Sequence, residues 1–160
     1  MNYVCGYMFS PDKSLVALTW KNRPDWQKGK LNGIGGKIEP EDVIADRYNT
    51  PLYAMRREFF EETGVRTFPN DWELFATVSY CDGSPNDFEA EENKVYYFRS
   101  FSDKIFSVAK TTDEVPIVIP VTTVDLFPQV NHNQWLLPMA LNSLSGFIYD
   151  IREYDRELQI

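Results

Sequence analysis

Three glutamates, Glu58, Glu61 and Glu62, fall inside one stretch that carries both a helix start and a helix stop. Thr50 suits the N-cap, Pro51 the first helical position and Gly64 the end, which predicts a helix of about 13 residues. At 100° per residue Leu52, Tyr53, Phe59 and Phe60 gather on one side, while the three acids share an arc on the other, beside the small Ala54. Like charges three and four apart destabilise a helix by about 0.2–0.5 kcal/mol per pair, and burial adds to that cost. Such an arc is either a solvated acidic face or a site completed by a cation. Hard carboxylate oxygens in this number suit Mg²⁺, with Mn²⁺ able to substitute, and Arg57 is placed to neutralise and orient its neighbours.

The rest of the chain can build a core around that helix. With 160 residues, 43% of them hydrophobic and 15% aromatic, residues 1–160 are expected to form a single domain. A net charge of −8 repels a long polyanion, so duplex nucleic acid is an unsuitable partner, whereas a small phosphate ligand needs only a few local cations. The most apolar run, 115–121, is broken by Pro116 and Pro120, and neither a membrane span nor a secretory signal is read. Cys5 and Cys81 lack metal-ligand spacing and are read as structural residues of a reducing compartment, so a cytoplasmic location is expected.

Strands are predicted at 3–9 and 15–20, joined by the turn Ser10-Pro11-Asp12-Lys13, and at 31–38, 72–80, 94–100, 115–121 and 147–152. The 31–38 segment is dense in glycine, which signals close approach of another group to its backbone. Residues 81–93 read as an acidic, flexible connection. A second helix is predicted at 133–144, with a kink or a late start at Pro138.

The acidic helix has a further context. Gly35-Gly36-Lys37-Ile38-Glu39 lies upstream, and Arg57-Glu58-Phe59-Phe60-Glu61-Glu62-Thr63-Gly64-Val65 resembles the second half of the Nudix signature, G-x5-E-x7-R-E-U-x-E-E-x-G-U, at every specified position. The first half departs from it. The expected acid falls at Asp42, with Glu41 also eligible, and fourteen residues rather than seven separate Asp42 from Arg57. An insertion placed at 43–49 accounts for the difference.

The resemblance implies an α/β fold, an α/β/α sandwich with a mixed β-sheet, in which the strand-loop-helix unit forms a metal site. It implies that Glu58, Glu61 and Glu62 bind Mg²⁺ and activate water, with the backbone carbonyl of Gly35 or Gly36 as a further ligand. One more acid is expected from a later loop, at Glu114 with Asp113 as substitute. Lys37, and with it Arg23 or Lys30, would bind phosphates. Within the superfamily the chain is similar to the MutT-like branch of oxidised-purine triphosphatases, which carries W-N-G-F-G-G-K-V where Leu31 to Ile38 stand here and Y-W-F-P near Trp135-Leu136-Leu137-Pro138. That likeness makes Asn32 the candidate for reading a base edge. Asn131 and His132 occupy the place of the branch's paired aspartates, so they are candidate base-pocket residues without implying selectivity for oxidised guanine. His132, the single histidine, is read as a pocket or surface residue rather than a catalytic one, Trp135 as core, and Trp26 as either core or platform.

The implied reaction is metal-dependent hydrolysis of a (deoxy)nucleoside triphosphate to monophosphate and pyrophosphate, by a monomer or homodimer. Hydrolysis of ADP-ribose or a dinucleotide is the alternative. A catalytically silent nucleotide-binding regulator is a third reading, opposed by the intact glutamate set.

Overall fold

The structure, a computed structural model, describes residues 1–81 and 92–154. Most of the predicted 81–93 connection therefore lies outside the described residues. Those described form one seven-stranded mixed sheet with helices on both faces.

Strand β1 (Asn2–Phe9) is the middle of the sheet. It runs parallel to β5 (Glu92–Phe101), which pairs antiparallel with β4 (Glu73–Cys81), which in turn runs parallel to β7 (Tyr149–Tyr154). On the other side β1 meets β2 (Leu15–Trp20) antiparallel at only two positions, Met8↔Ala17 and Phe9↔Val16. Strand β2 then pairs with β6 (Val115–Pro120) along its whole length and with the two-residue β3 (Leu31–Asn32) at Thr19 and Trp20.

The short contact between β1 and β2 explains why the predicted 31–38 strand is not continuous. Beyond Asn32 the chain leaves β2 and lies antiparallel along the first half of β1, with Gly6 N–H donating to Ile34 O at 2.7 Å and Val4 N–H to Gly36 O at 2.9 Å. This crossing sets the glycine-rich backbone between the sheet and the acidic helix.

Alternation along β1 serves both faces. Val4 and Met8 pack toward helix α2 (Thr50–Thr63) in a cluster with Ala54, Met55, Phe59 and Trp72, while Cys5, Tyr7 and Phe9 pack toward α3 (Asn133–Asn142) with Leu136 and Leu137. Phe59 is fully buried against Trp72, ring centroids 5.1 Å apart, but Phe60 is 39% exposed under the Arg66 guanidinium. Adjacent helical residues point about 100° apart, so the expectation that both phenylalanines share the core fails for the second.

Other boundaries shift. Asn49 is the N-cap of α2 and Thr50 its first residue, its hydroxyl donating to the Asp46 carbonyl; Gly64 ends the helix in the left-handed conformation, φ 73°. Helix α3 runs through Pro138 to Asn142 without a late start. Both Pro138 and Gln134 are exposed, which puts the missing proline N–H on the solvent side of the helix, where its loss is best tolerated. The last strand begins at Tyr149 rather than 147.

The expected insertion begins inside a short helix, α1 (Pro40–Ala45), and then turns at Asp46, whose carboxylate accepts the Tyr48 and Asn49 N–H groups on the way into α2. On the far side of the molecule Arg99, 4% exposed, crosses from β5 to the end of α3. It donates to the carbonyls of Ala140 and Ser143 at 2.9 and 2.7 Å and pairs with Glu73 at 3.1 Å.

Candidate active site

Two cations organise the acids. The first is Arg57 on α2. Its Nε and Nη2 donate to Asp42 at 2.7 and 2.8 Å, Nη2 also to the Lys37 carbonyl at 3.0 Å, and Nη1 to Glu58 and Glu61 at 2.9 and 3.1 Å. Of the two eligible first acids the fold selects Asp42. As the third residue of α1 it is buried and also accepts the Glu39 N–H at 2.8 Å, while Glu41 is exposed. Burial raises the Asp42 carboxyl, but the Arg57 and Glu39 hydrogen bonds outweigh it and the net effect is a lowered pKa. The same bonds to Asp42 raise the Arg57 guanidinium, so it stays charged.

The second cation, Lys21, was not anticipated from the sequence. Strand alternation puts Ala17, Thr19 and Lys21 on the α2 face, and the register Trp20↔Val115 brings Lys21 beside Glu114. Its Nζ is 2.5 Å from Glu114 Oε2 and 3.9 Å from Glu62 Oε1, and all three residues are buried. A lysine ahead of Asn22-Arg23-Pro24 reads as the start of a surface loop; only the pairing of β2 with β6 reveals it. Burial pushes the Glu62 carboxyl well above the usual range, and Lys21 only partly offsets this against repulsion from Glu114 and Glu58. Glu58 is raised as well, chiefly by burial.

Two observations fit this set to a divalent cation. Glu62 Oε2 is buried without a hydrogen-bond partner among the described residues, and the Gly36 backbone lies so close to Glu58 that an added Cβ would stand 2.6 Å from its Oε2. Of the two expected backbone ligands, Gly36 has its carbonyl turned to the Val4 N–H, whereas the Gly35 carbonyl accepts no hydrogen bond among the described residues. Among the described residues, however, no three acidic, cysteine or histidine side chains converge closely enough to hold a metal ion as they stand. Arg57 draws Glu58 and Glu61 one way and Lys21 draws Glu62 and Glu114 the other, so a cation held by all four would require these carboxylates to turn.

A cavity of about 1230 Å³ includes the acids and, elsewhere on its wall, Tyr80, Tyr97 and His132. Lys37 and Arg23 border it with exposed side chains, lightly paired to Glu39 at 3.7 Å and to Asp113 at 3.8 Å, and are free to turn toward a phosphate. Asn32 lines it too, with its amide engaged locally: Oδ1 accepts the Gly33 N–H at 2.8 Å and Nδ2 donates to Gln27 at 3.1 Å. His132 Nε2 is 3.2 Å from Glu153 of β7, and its ring stands edge-on to Tyr80. Asn131 is exposed and does not border the cavity; the buried amide nearby is Asn133, which bonds Tyr7 and the Leu31 carbonyl. Lys30 does not border it either. Trp135 packs against the core and Trp26, 58% exposed, stands at the cavity wall.

The family model for the NUDIX domain matches residues 2–138. Among solved structures, a mutator MutT protein from Bacillus halodurans is similar over 96% of this chain and 90% of its own, with a TM-score of 0.66 and 17% identity. MutT from Aliivibrio salmonicida and Vibrio cholerae is similar over 88% and 95%, with a TM-score of 0.62 and 18% identity. The NUDIX domain of Shewanella oneidensis NrtR, solved with ADP ribose, is similar over 88% and 86%, with a TM-score of 0.62 and 17% identity. At these identities the likeness is one of fold. No curated protein matches the sequence.

Proposed function

Since the chain belongs to the NUDIX domain family, hydrolases of nucleoside diphosphates linked to a further group, we propose that it converts a (deoxy)nucleoside triphosphate to its monophosphate and pyrophosphate with Mg²⁺. The observation that carries this reading is the single cavity whose wall holds both the buried acids and an aromatic region at Tyr80, Tyr97 and His132. It suits a molecule that is polyanionic at one end and a flat ring at the other.

Glu58, Glu61, Glu62 and Glu114, with the Gly35 carbonyl, would hold the cation. A bound divalent cation neutralises phosphate oxygens and makes water acidic enough to lose a proton near neutral pH. The chain's own residues do the rest. Arg57 fixes the angle of Glu58 and Glu61 by binding both from one nitrogen. Glu61, half exposed at 51%, is the acid best able to move a proton to and from solvent. Lys37 and Arg23 screen the phosphate chain, and His132, oriented by Glu153, meets the base.

A second reading, hydrolysis of ADP-ribose or a dinucleotide, is supported by the cavity volume, which is larger than a mononucleotide needs. Incubation with nucleoside triphosphates, ADP-ribose and dinucleoside polyphosphates, with Mg²⁺ or Mn²⁺ and product identification, separates the two. Pyrophosphate as a product supports the first; cleavage of a linked substrate into two phosphorylated products, both monophosphates in the case of ADP-ribose, replaces it with the second. No turnover of any of them by a folded, metal-loaded protein would leave a nucleotide-binding regulator.

A further inference from the structure

A buried acid pair with its own lysine is an unusual way to prepare a divalent-cation site. Lys21 is 8% exposed and reaches Glu114 Oε2 at 2.5 Å and Glu62 Oε1 at 3.9 Å, so one ammonium serves two buried carboxylates. Removing three charges from water is costly unless they compensate one another. Lys21 supplies that compensation for Glu114 in full geometry and for Glu62 only at a distance, and the other Glu62 oxygen has no hydrogen-bond partner among the described residues. A divalent cation bound to these two carboxylates would stand close to the ammonium, and two cations sharing one carboxylate repel at short range.

We propose that Lys21 is an internal counter-cation that pairs with Glu62 and Glu114 when divalent metal is absent and must give way when it binds, so that this lysine sets the metal affinity of the site. Lys21 is then a positioning residue acting through the two acids. The proposal rests on reading the acid cluster as the cation site, yet it fails separately from that reading.

The test uses Mn²⁺ alone, followed by the electron paramagnetic resonance signal of the free ion, on wild-type protein, Lys21→Met and Lys21→Arg. Lys21→Met should bind Mn²⁺ at least about tenfold more tightly. It should unfold at a lower temperature than wild type in chelator, with the difference closing at saturating Mn²⁺. Lys21→Arg, which keeps the charge, should bind as wild type does. Equal or weaker binding by folded Lys21→Met, or tightening by Lys21→Arg as great as by Lys21→Met, overturns the proposal while leaving the cation site intact. Mn²⁺ bound by none of the three overturns both.

Should Lys21→Met not fold, wild-type protein still decides. Acylation of Lys21, read by mass spectrometry, should rise when Mg²⁺ is added to chelated protein, since the ammonium is displaced from its carboxylates. Unchanged protection at saturating Mg²⁺ overturns the proposal.

Discussion

Replacing Asp42 by asparagine removes one charge and almost no volume from the hub that aligns the helix acids. The Asp42 side chain is 1% exposed and takes two hydrogen bonds from Arg57, at 2.7 and 2.8 Å, and one from the Glu39 N–H at 2.8 Å. Asparagine can accept one Arg57 bond but turns an N–H₂ group toward the remaining donors. Losing a charge-assisted bond costs about 1.5–3 kcal/mol, and stripping one partner from a fully buried ion pair about 3–5 kcal/mol. Arg57 is 24% exposed and keeps Glu58 and Glu61 as acceptors, so the lower range applies and we expect about 2–3 kcal/mol.

For a domain of this size that is a fall in Tm of about 5–10 °C. Turnover should fall about tenfold or more, because Arg57 no longer holds Glu58 and Glu61 at a fixed angle. The assay is thermal unfolding at pH 7 in chelator, with hydrolysis measured well below either Tm. Glu41→Gln, one position earlier and exposed, is the control and should leave both unchanged. The Asp42 pKa is lowered in the fold, so its contribution is complete above the ordinary carboxyl range and is lost as the pH falls through the lowered value. The two melting curves should therefore converge at strongly acidic pH. A shift under 1 °C for Asp42→Asn, or a larger loss for Glu41→Gln, refutes the reasoning.

Gly36→Ala places a Cβ 2.6 Å from the Glu58 carboxylate; because the clash is with a side-chain end, stability should change by less than about 1 kcal/mol while turnover drops about tenfold or more. Asn133→Ala strands the buried Tyr7 hydroxyl, whereas the Leu31 carbonyl keeps the Val130 N–H, and a denaturant titration should show a loss of about 1–3 kcal/mol, part of which Tyr7→Phe restores in the double variant. The Glu62 carboxyl is raised in the fold, so in chelator the folded protein binds more protons than the unfolded chain above the ordinary carboxyl range. Stability from this group must then fall as the pH rises from about 4.5 toward neutrality, and Glu62→Gln should flatten that slope of Tm between pH 5 and 8.

What could be read from the sequence depended on how local its cause is. Helix α2 was legible because Pro51 and Gly64 punctuate it and its acids sit at helical spacing, and β1, β2 and β6 because apolar and β-branched residues run between turn signals. The choice between Glu41 and Asp42 was not legible, since it depends on which of them becomes the third residue of the six-residue helix in which the insertion begins. Lys21 was hidden for a different reason. Its burial comes from pairing with a strand almost a hundred residues later in the chain, and nothing beside it in the sequence marks that. Asn131 and Asn133 differ only by where the chain turns into α3, a matter of one or two residues that pattern reading does not resolve.

The Arg99 anchor bears on where this domain can be shortened. The family match stops at residue 138, but the carbonyls that receive the guanidinium belong to Ala140 and Ser143, and its carboxylate partner Glu73 is itself tethered by Ser145 and Gly146. A truncation made at the homology boundary would leave the Arg99 guanidinium paired with Glu73 but without its carbonyl acceptors, and would strip β4 of its outer neighbour. The final segment is thus the keystone of that flank rather than a dispensable tail.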